Sequence, residues 1–339
     1  MKNYITAIFL MASAAMFAQE IKEESKKWSA GRPDGHAPIS VMGDHMHGKG
    51  DWMFSYRYMY MNMEDLKAGS DDATTESALA DYMVTPTNMP MNMHMLGGMY
   101  APSDKITIMV MANYLSMEMD HLTRMGGNFT TEVSGFGDVQ LSMLYRFFNK
   151  NGQSVHGQLG VSLPTGSVTE TDVTPASAPN KTELPYPMQL GSGTVDTNLA
   201  VTYLGQSESV SWGGQLRAIL RFGENDRDFR YGNRQSLNGW FAVKTAKWLS
   251  FSARLEALVV GEINGEDPNL NPMMVITTDT NNSGGNFLNG GIGFNVFVPS
   301  GALKNLRVGF EFASPLYQDL NGIQLKNKET ITLGTQYSF

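Results

Sequence analysis

The chain has 339 residues, no cysteine and a net charge of −8, with 42% hydrophobic and 17% charged residues. Without cysteine there are no disulfides, thiolate metal sites, thiol catalysis or lipoprotein anchor. The acidic balance argues against a nucleic-acid partner, which needs a basic face. A mean hydropathy of −0.24 argues against a bundle of membrane helices.

Residues 1–18, MKNYITAIFLMASAAMFA, carry Lys2 before an apolar stretch with small residues near its end. That pattern predicts a cleaved secretory signal peptide, cut near Ala15 or Ala18. Residues 19–50 follow as an N-terminal segment, expected on the periplasmic side as a plug or mouth. No later stretch reaches 18 consecutive apolar residues, so no transmembrane helix is expected.

From residue 51 onward the sequence alternates with period two. In Asp51–Met63, Trp52, Phe54, Tyr56, Tyr58 and Tyr60 share one parity; Met53, Arg57, Met59, Met61 and Met63 share the other. A strand sends the two sets to opposite faces. Twelve strands are predicted: 51–63, 91–101, 105–118, 136–148, 153–163, 193–204, 208–222, 236–245, 248–261, 286–298, 304–314 and 329–339. Short connections alternate with long ones, the long ones being 64–90, 119–135, 164–192, 223–235, 262–285 and 315–328. This asymmetry, the even count, the aromatic exterior and the polar opposite face predict an all-β, antiparallel, up-and-down transmembrane barrel over 51–339. A soluble β-sandwich also alternates. It does not require Arg217, Arg221, Arg254 and Glu256 opposite the aromatic face, whereas a water-filled lumen does. Motifs of the types HExxH, GxSxG and the P-loop are absent from the sequence, and no enzyme activity is expected.

Methionine is unevenly spread. Seventeen of the 24 methionines lie between Met42 and Met125, and only four follow Gly126. Parity places Met53, Met59, Met61, Met63, Met109, Met111 and Met117 in the lumen. If Leu96 and Tyr100 face lipid, Met93, Met95 and Met99 also point inward and His94 outward. Methionine is a flexible space-filler, so a packed inner wall is one reading. The other uses the soft thioether, which ligates Cu(I) and Ag(I). His45, His47, His94 and His121 fall in the same zone, and imidazole suits copper, zinc or nickel. His45 and His47 are expected at the periplasmic mouth and His121 at the external rim. Candidate metal ligands are therefore Met53, Met59, Met61, Met63, Met93, Met95, Met99, Met109, Met111, Met117, His45, His47, His94 and His121. No tightly bound cofactor is expected; copper enters as a bound or transported ion. Arg57, Arg146, Arg217, Arg221 and Arg254 are expected to set the lumen field, offset by Asp138, Asp196 and Glu256.

The blocks GFGDV at 135–139, GVSLPTGS at 160–167 and MQLGSGT at 188–194, with VMGDHMHGKGDWMFSYRYMYMNM at 41–63, resemble the meta-pathway phenol degradation family of outer-membrane barrels, often labelled transporters. The resemblance covers about residues 40–200. It implies an outer-membrane barrel of a Gram-negative bacterium with a channel role. The expectations are therefore a channel handling soft metal ions, a channel for small apolar or aromatic solutes, or a closed structural barrel. The partners expected are outer-membrane lipid, a metal ion or small solute, and a periplasmic metal-handling or efflux protein.

Overall fold

The computed structural model describes residues 27–339. The expected signal peptide and the first residues of the N-terminal segment lie outside them. Alternation is converted directly into two faces. In β1 (Trp52–Gly69), Trp52 and Phe54 are exposed, whereas Met53, Ser55 and Arg57 are buried. The same two-sided pattern recurs in β2 (Val84–Ser103), β3 (Ile106–Thr123), β4 (Val139–Lys150), β5 (Gln153–Leu163), β6 (Asp196–Gln206), β7 (Val210–Arg221), β8 (Arg234–Lys244), β9 (Leu249–Val260), β10 (Gly285–Phe297) and β11 (Leu306–Ser338). Each strand pairs antiparallel with its sequence neighbours, and β11 returns to pair with β1. The sheet thus closes on itself and leaves no unpaired edge, the condition for β-structure in a lipid phase. The seam is completed by Trp52, whose N–H donates to Phe339 O (2.9 Å), and by Phe339, whose N–H donates to Trp52 O (3.0 Å).

Eleven strand elements form the ring. Asp71–Ala73 and Asn128–Phe136 add to the same sheet outside it, against the far ends of β1 and β3. The expected strands 304–314 and 329–339 are one 33-residue element, β11. Its residues 307–320 pair with β10 and its residues 320–338 with β1. The chain turns between them at Gly322 (φ 60°), a left-handed conformation that glycine adopts without penalty. The expected loop 315–328 is therefore largely strand. The expected loop 64–90 shrinks similarly: β1 runs on to Gly69, β2 starts at Val84, and a short helix at Thr75–Asp81 lies between. Polar residues such as Asn62, Glu64 and Asn88 mark the extension of the wall rather than its end, because paired backbone, not side-chain polarity, defines the strand.

The outer face carries exposed Leu96, Leu216, Leu237, Phe241, Phe251 and Ile292. Aromatics gather near the short turns, where Trp52 packs on Tyr100 (ring centroids 4.4 Å) and Phe54 on Phe339 (6.0 Å). An apolar belt with an aromatic border is what a bilayer demands of a barrel exterior. Among the described residues no helix is long and apolar enough to cross a membrane.

Residues 28–50 enter the barrel at the short-turn end and return to it. The N–H of Trp28 donates to Asn149 Oδ1 and that of Ser29 to Gln206 Oε1, both at short turns. Deeper in, Ser211 Oγ donates to Asp34 O and Ser250 Oγ to Pro33 O. Arg307 donates to the carbonyls of Ala30, Arg32 and Pro33. His156 Nε2 donates to Gly43 O and Gln215 Nε2 to Met42 O. Trp28, Ala37 and Val41 pack with Leu204 and Trp240 of the wall. An irregular backbone inside a barrel needs partners for its carbonyls, and the wall's Ser, Gln and Arg side chains supply them.

Candidate functional site

The Met-rich half of the wall is β1, β2 and β3. Register places Met53 beside Met99, Met59 beside Met93, Met61 beside Met91, and Met63 beside Met89. Met91 in turn stands beside Met117 and Met99 beside Met109. Alternation and register together turn separate sequence runs into one inward patch. It divides into two groups. Near the long loops, Met89, Met91, Met117, Met119 and Met188 pack with Leu115, Leu184 and Leu190, and Met59, Met61, Met63 and Met93 lean against them. Near the short turns, Met46, Met53, Met99, Met109 and Met111 pack with Leu144 and Met42. Met95 is buried on the same face. Both groups are packed cores, and the larger lumen cavities lie elsewhere, along the arginine-bearing strands.

The second group meets the inserted segment. Asp44 is buried and fixes two neighbours: the N–H of Ala37 donates to Oδ2 (2.9 Å), and His45 Nδ1 lies 2.9 Å from Oδ1. Burial pushes the Asp44 carboxyl up, but His45 and the Ala37 N–H outweigh it and hold the group down at about 2. A carboxylate only accepts, so His45 Nδ1 donates to Asp44, which leaves Nε2 as the ring atom free to face a ligand. Among the described residues that buried Nε2 has no hydrogen-bond partner, nor has Nε2 of His47. The His36 ring lies 3.7 Å from that of His45, and the His47 ring 4.9 Å. One ligand atom each from His36, Asp44 and His45 falls within 4.8 Å of the others. Burial lowers the pKa of both flanking histidines: His36, also faced by Arg307, and His47, which reaches about 3. All three rings thus crowd together without three positive charges.

Asp44 and His45 share one small cavity with Met53, Met99, Met109 and Met111. Its volume, about 10 Å³, is the room of one ion or water molecule. Gly97 makes the space, since a side chain there would meet Ser55 Oγ at 2.6 Å. Arg57 borders the cavity and donates to Met42 Sδ (2.8 Å).

Several expectations are corrected. His45 and His47 are not at an open mouth; they are 1% and 6% exposed, inside the barrel. His94 faces outward, as parity expects, with Nδ1 2.8 Å from Tyr56 Oη on the outer face; what falls is its place among the candidate ligands. His121 is buried beneath the long loops, stacked on Phe129 (4.6 Å), rather than free at a rim. Asp138 is not a lumen counter-charge: it accepts from the N–H groups of Gly166 and Ser192 and ties down the connection 164–192. Arg146 donates to Asp104 O and His47 O, holding the inserted segment. His36 and His156 were missed. His36 stands just before His45 in sequence but in no motif with it, and His156 is a lone histidine on the wall strand β5; the fold of the inserted segment brings both to the site.

The larger cavities are four, one of them, of about 710 Å³, a depression lined by the outward side chains of Phe54, Tyr56, Leu96 and Val110. One of about 220 Å³ is lined by Ser40, Met42, Arg217, Arg234, Arg254 and Glu256 among others. One of about 260 Å³ lies between Tyr186, Arg221, Tyr231 and Arg234. The last, of about 590 Å³, lies among the long loops, with His121, Phe129, Met125, Leu184 and Leu270 in its lining.

No protein-family model matches the sequence, and no curated protein does either. Solved structures do. The chain is similar to the COG4313 outer membrane channel from Pseudomonas putida F1, with TM-score 0.61 and 14% identity over 89% of this chain and 100% of that one. The transport unit of the autotransporter AIDA-I from Escherichia coli matches at TM-score 0.49, with 11% identity over 98% and 97%. A KdgM porin matches at 0.37, with 10% identity over 85% and 99%. The first likeness, together with the closed ring and apolar belt, shows the fold: a closed antiparallel β-barrel of the kind that outer-membrane channel has.

Proposed function

We propose that the chain is a channel of a Gram-negative outer membrane whose lumen binds a soft monovalent ion, Cu(I) or Ag(I), beneath a plug formed by residues 27–50. In this reading the doubled β11 supplies two staves, giving the even count of twelve that such barrels carry. The observation that carries the metal reading is the ion-sized cavity lined by Met53, Met99, Met109, Met111 and His45, whose Nε2 has no partner among the described residues. The donor set fits: thioethers and one neutral imidazole are soft or borderline ligands, and the cysteine-free site survives an oxidising compartment. Charge fits too. Asp44 and Arg57 offset one another beside the cavity, so one added positive charge is tolerated better than two. The packing of the upper methionines supports holding an ion over passing it along a ladder. A periplasmic metal-handling partner would meet the short-turn face, where the plug enters.

The test is Ag(I) and Cu(I) binding to refolded, detergent-solubilised protein beside the variant M53L/M99L/M109L/M111L. Leucine keeps volume and apolarity but removes sulfur. One ion bound at micromolar affinity or tighter, weakened at least tenfold in the variant, is expected. Equal binding by both proteins sinks the metal reading. A second reading, a channel for small apolar or aromatic solutes, is favoured by the 590 Å³ cavity among the loops, with Phe129 and Leu270 in its lining.

A further inference from the structure

The wall opposite the methionines has a different chemistry. β7, β8 and β9 are neighbours, and their lumen-facing residues include Arg217, Arg221, Arg234, Arg254 and Glu256. Two of the arginines are well partnered. Arg221 Nε donates to Asp196 Oδ2 at 3.0 Å. Arg254 donates to Glu311 Oε1 at 2.7 and 3.0 Å and to Asn238 Oδ1 at 2.7 Å, and reaches Glu256 at 3.4 Å. The other two are not. Among the described residues Arg217 reaches only Asn198 Oδ1, at 3.4 Å, and its buried Nε has no partner. Arg234 makes no side-chain hydrogen bond or ion pair among the described residues, and Glu256 lines the same cavity.

Arg217 and Arg234 line the same 220 Å³ cavity, with Gln215, Ser236 and Asn238 beside them. Arg234 also lines the 260 Å³ cavity toward the long loops, so the two spaces share it. Counting Glu311 behind Arg254, three guanidiniums face two carboxylates there. One positive charge is left over, in a place where the wall could have been neutral. Arg217 bears the desolvation cost of its buried, unpartnered Nε, and the two guanidiniums beside one cavity repel each other; an anion between them would offset both.

We propose that Arg217 and Arg234 form a lumen site for a small oxyanion of one net negative charge, a carboxylate or a dihydrogen-phosphate type ion. Guanidinium forks match two oxygens of such a group, where a bare halide takes only one point of contact. Gln215 and Asn238 offer amides, and Ser236 a hydroxyl, at the same space. The site is separate from the metal cavity and stands or falls without it. It also places the passage for anionic solutes beside the plug's Ser40–Met42 edge rather than along the methionines.

The test uses the full folded chain in detergent, with inorganic phosphate and acetate as probes followed by NMR line broadening. Saturable binding of at least one probe is expected at millimolar concentration or tighter. It should be weakened at least tenfold in R217Q/R234Q, and in R234K, which keeps charge but loses the fork, it should be weakened severalfold. Arg234 is exposed to the lumen, so R234Q alone serves where the double variant fails to fold. Absence of saturable binding, or equal binding by wild type and R234Q, overturns the proposal. In planar bilayers the reversal potential under a salt gradient should favour anions in the wild type and shift toward cations in R234Q. A wild type selective for cations overturns it as well.

Discussion

Glu311 shows how closely the interior is balanced at single residues. Its Oε1 accepts from Ser40 of the inserted segment and from both Nε and Nη2 of Arg254. Replacing it by glutamine leaves a buried guanidinium facing a neutral group. Breaking a buried pair from one side costs about 3–5 kcal/mol, so E311Q should unfold at clearly lower urea, with the wall and segment losing order together. His36, His47 and Asp44 act through pH. The imidazoles of His36 and His47 are held below their usual 6.5, His47 at about 3, while Asp44 sits at about 2. Groups with depressed values bind more protons when released than when docked. Docking is therefore fully stabilised above pH 6.5 and weakens as pH falls toward 3, by at most about 1.4 kcal/mol per unit for each imidazole. Asp44 adds loss only below its ordinary value near 3.8. Protection factors at backbone amides 36–47, taken relative to the intrinsic exchange rate at each pH, should fall between pH 7 and pH 4.5 while those of β5 and β6 stay unchanged; uniform protection across that range contradicts the assignment.

Among the elements, strands were legible and the inserted segment was not. Alternation in 51–63 and 105–118 gave the correct inward parity for every methionine from Met53 to Met63 and from Met109 to Met117, because a strand has just two faces. The strand ends were less legible. Paired backbone above the apolar belt tolerates Asn62, Glu64 or Asn88 as readily as Val, so composition stops marking the wall once lipid no longer covers it. Residues 27–50 carry no period at all. Their conformation is set by distant partners such as Arg307, His156 and Gln215, and nothing local announces those contacts. The same is true of the cavity at His45: its methionines were visible one by one, but the placing of His45 rather than His94 or His121 among them follows from the inserted loop. A variant lacking residues 27–47 should keep its barrel, since the ring's own ladders do not use the segment. Its single-channel conductance should rise severalfold over the full chain in planar bilayers. An unchanged conductance would show that the segment does not occupy the ion path.

At the scale of the whole molecule, the lumen is divided lengthwise. β1 to β3 give a soft, packed side with Arg57 set among its methionines, and β7 to β9 give a polar, positively charged one, with the inserted segment between them touching both through Met42 and Ser40. Division around the circumference lets one barrel present two chemistries at the same depth. The closing seam adds a constraint in time. Trp52 begins the ring directly after the inserted segment, and its hydrogen-bond partner Phe339 lies at the other extreme of the described chain. Neighbouring hairpins can form as soon as each is made, but this last ladder is a contact of maximal sequence separation, and such contacts come late and slowly. Until it forms, β1 and the far half of β11 are open edges. In the finished barrel the inserted segment spans that same seam, joined to β1 by chain continuity and to β11 by Arg307 and His36, so the loop that fills the lumen also straps the line along which the ring closes.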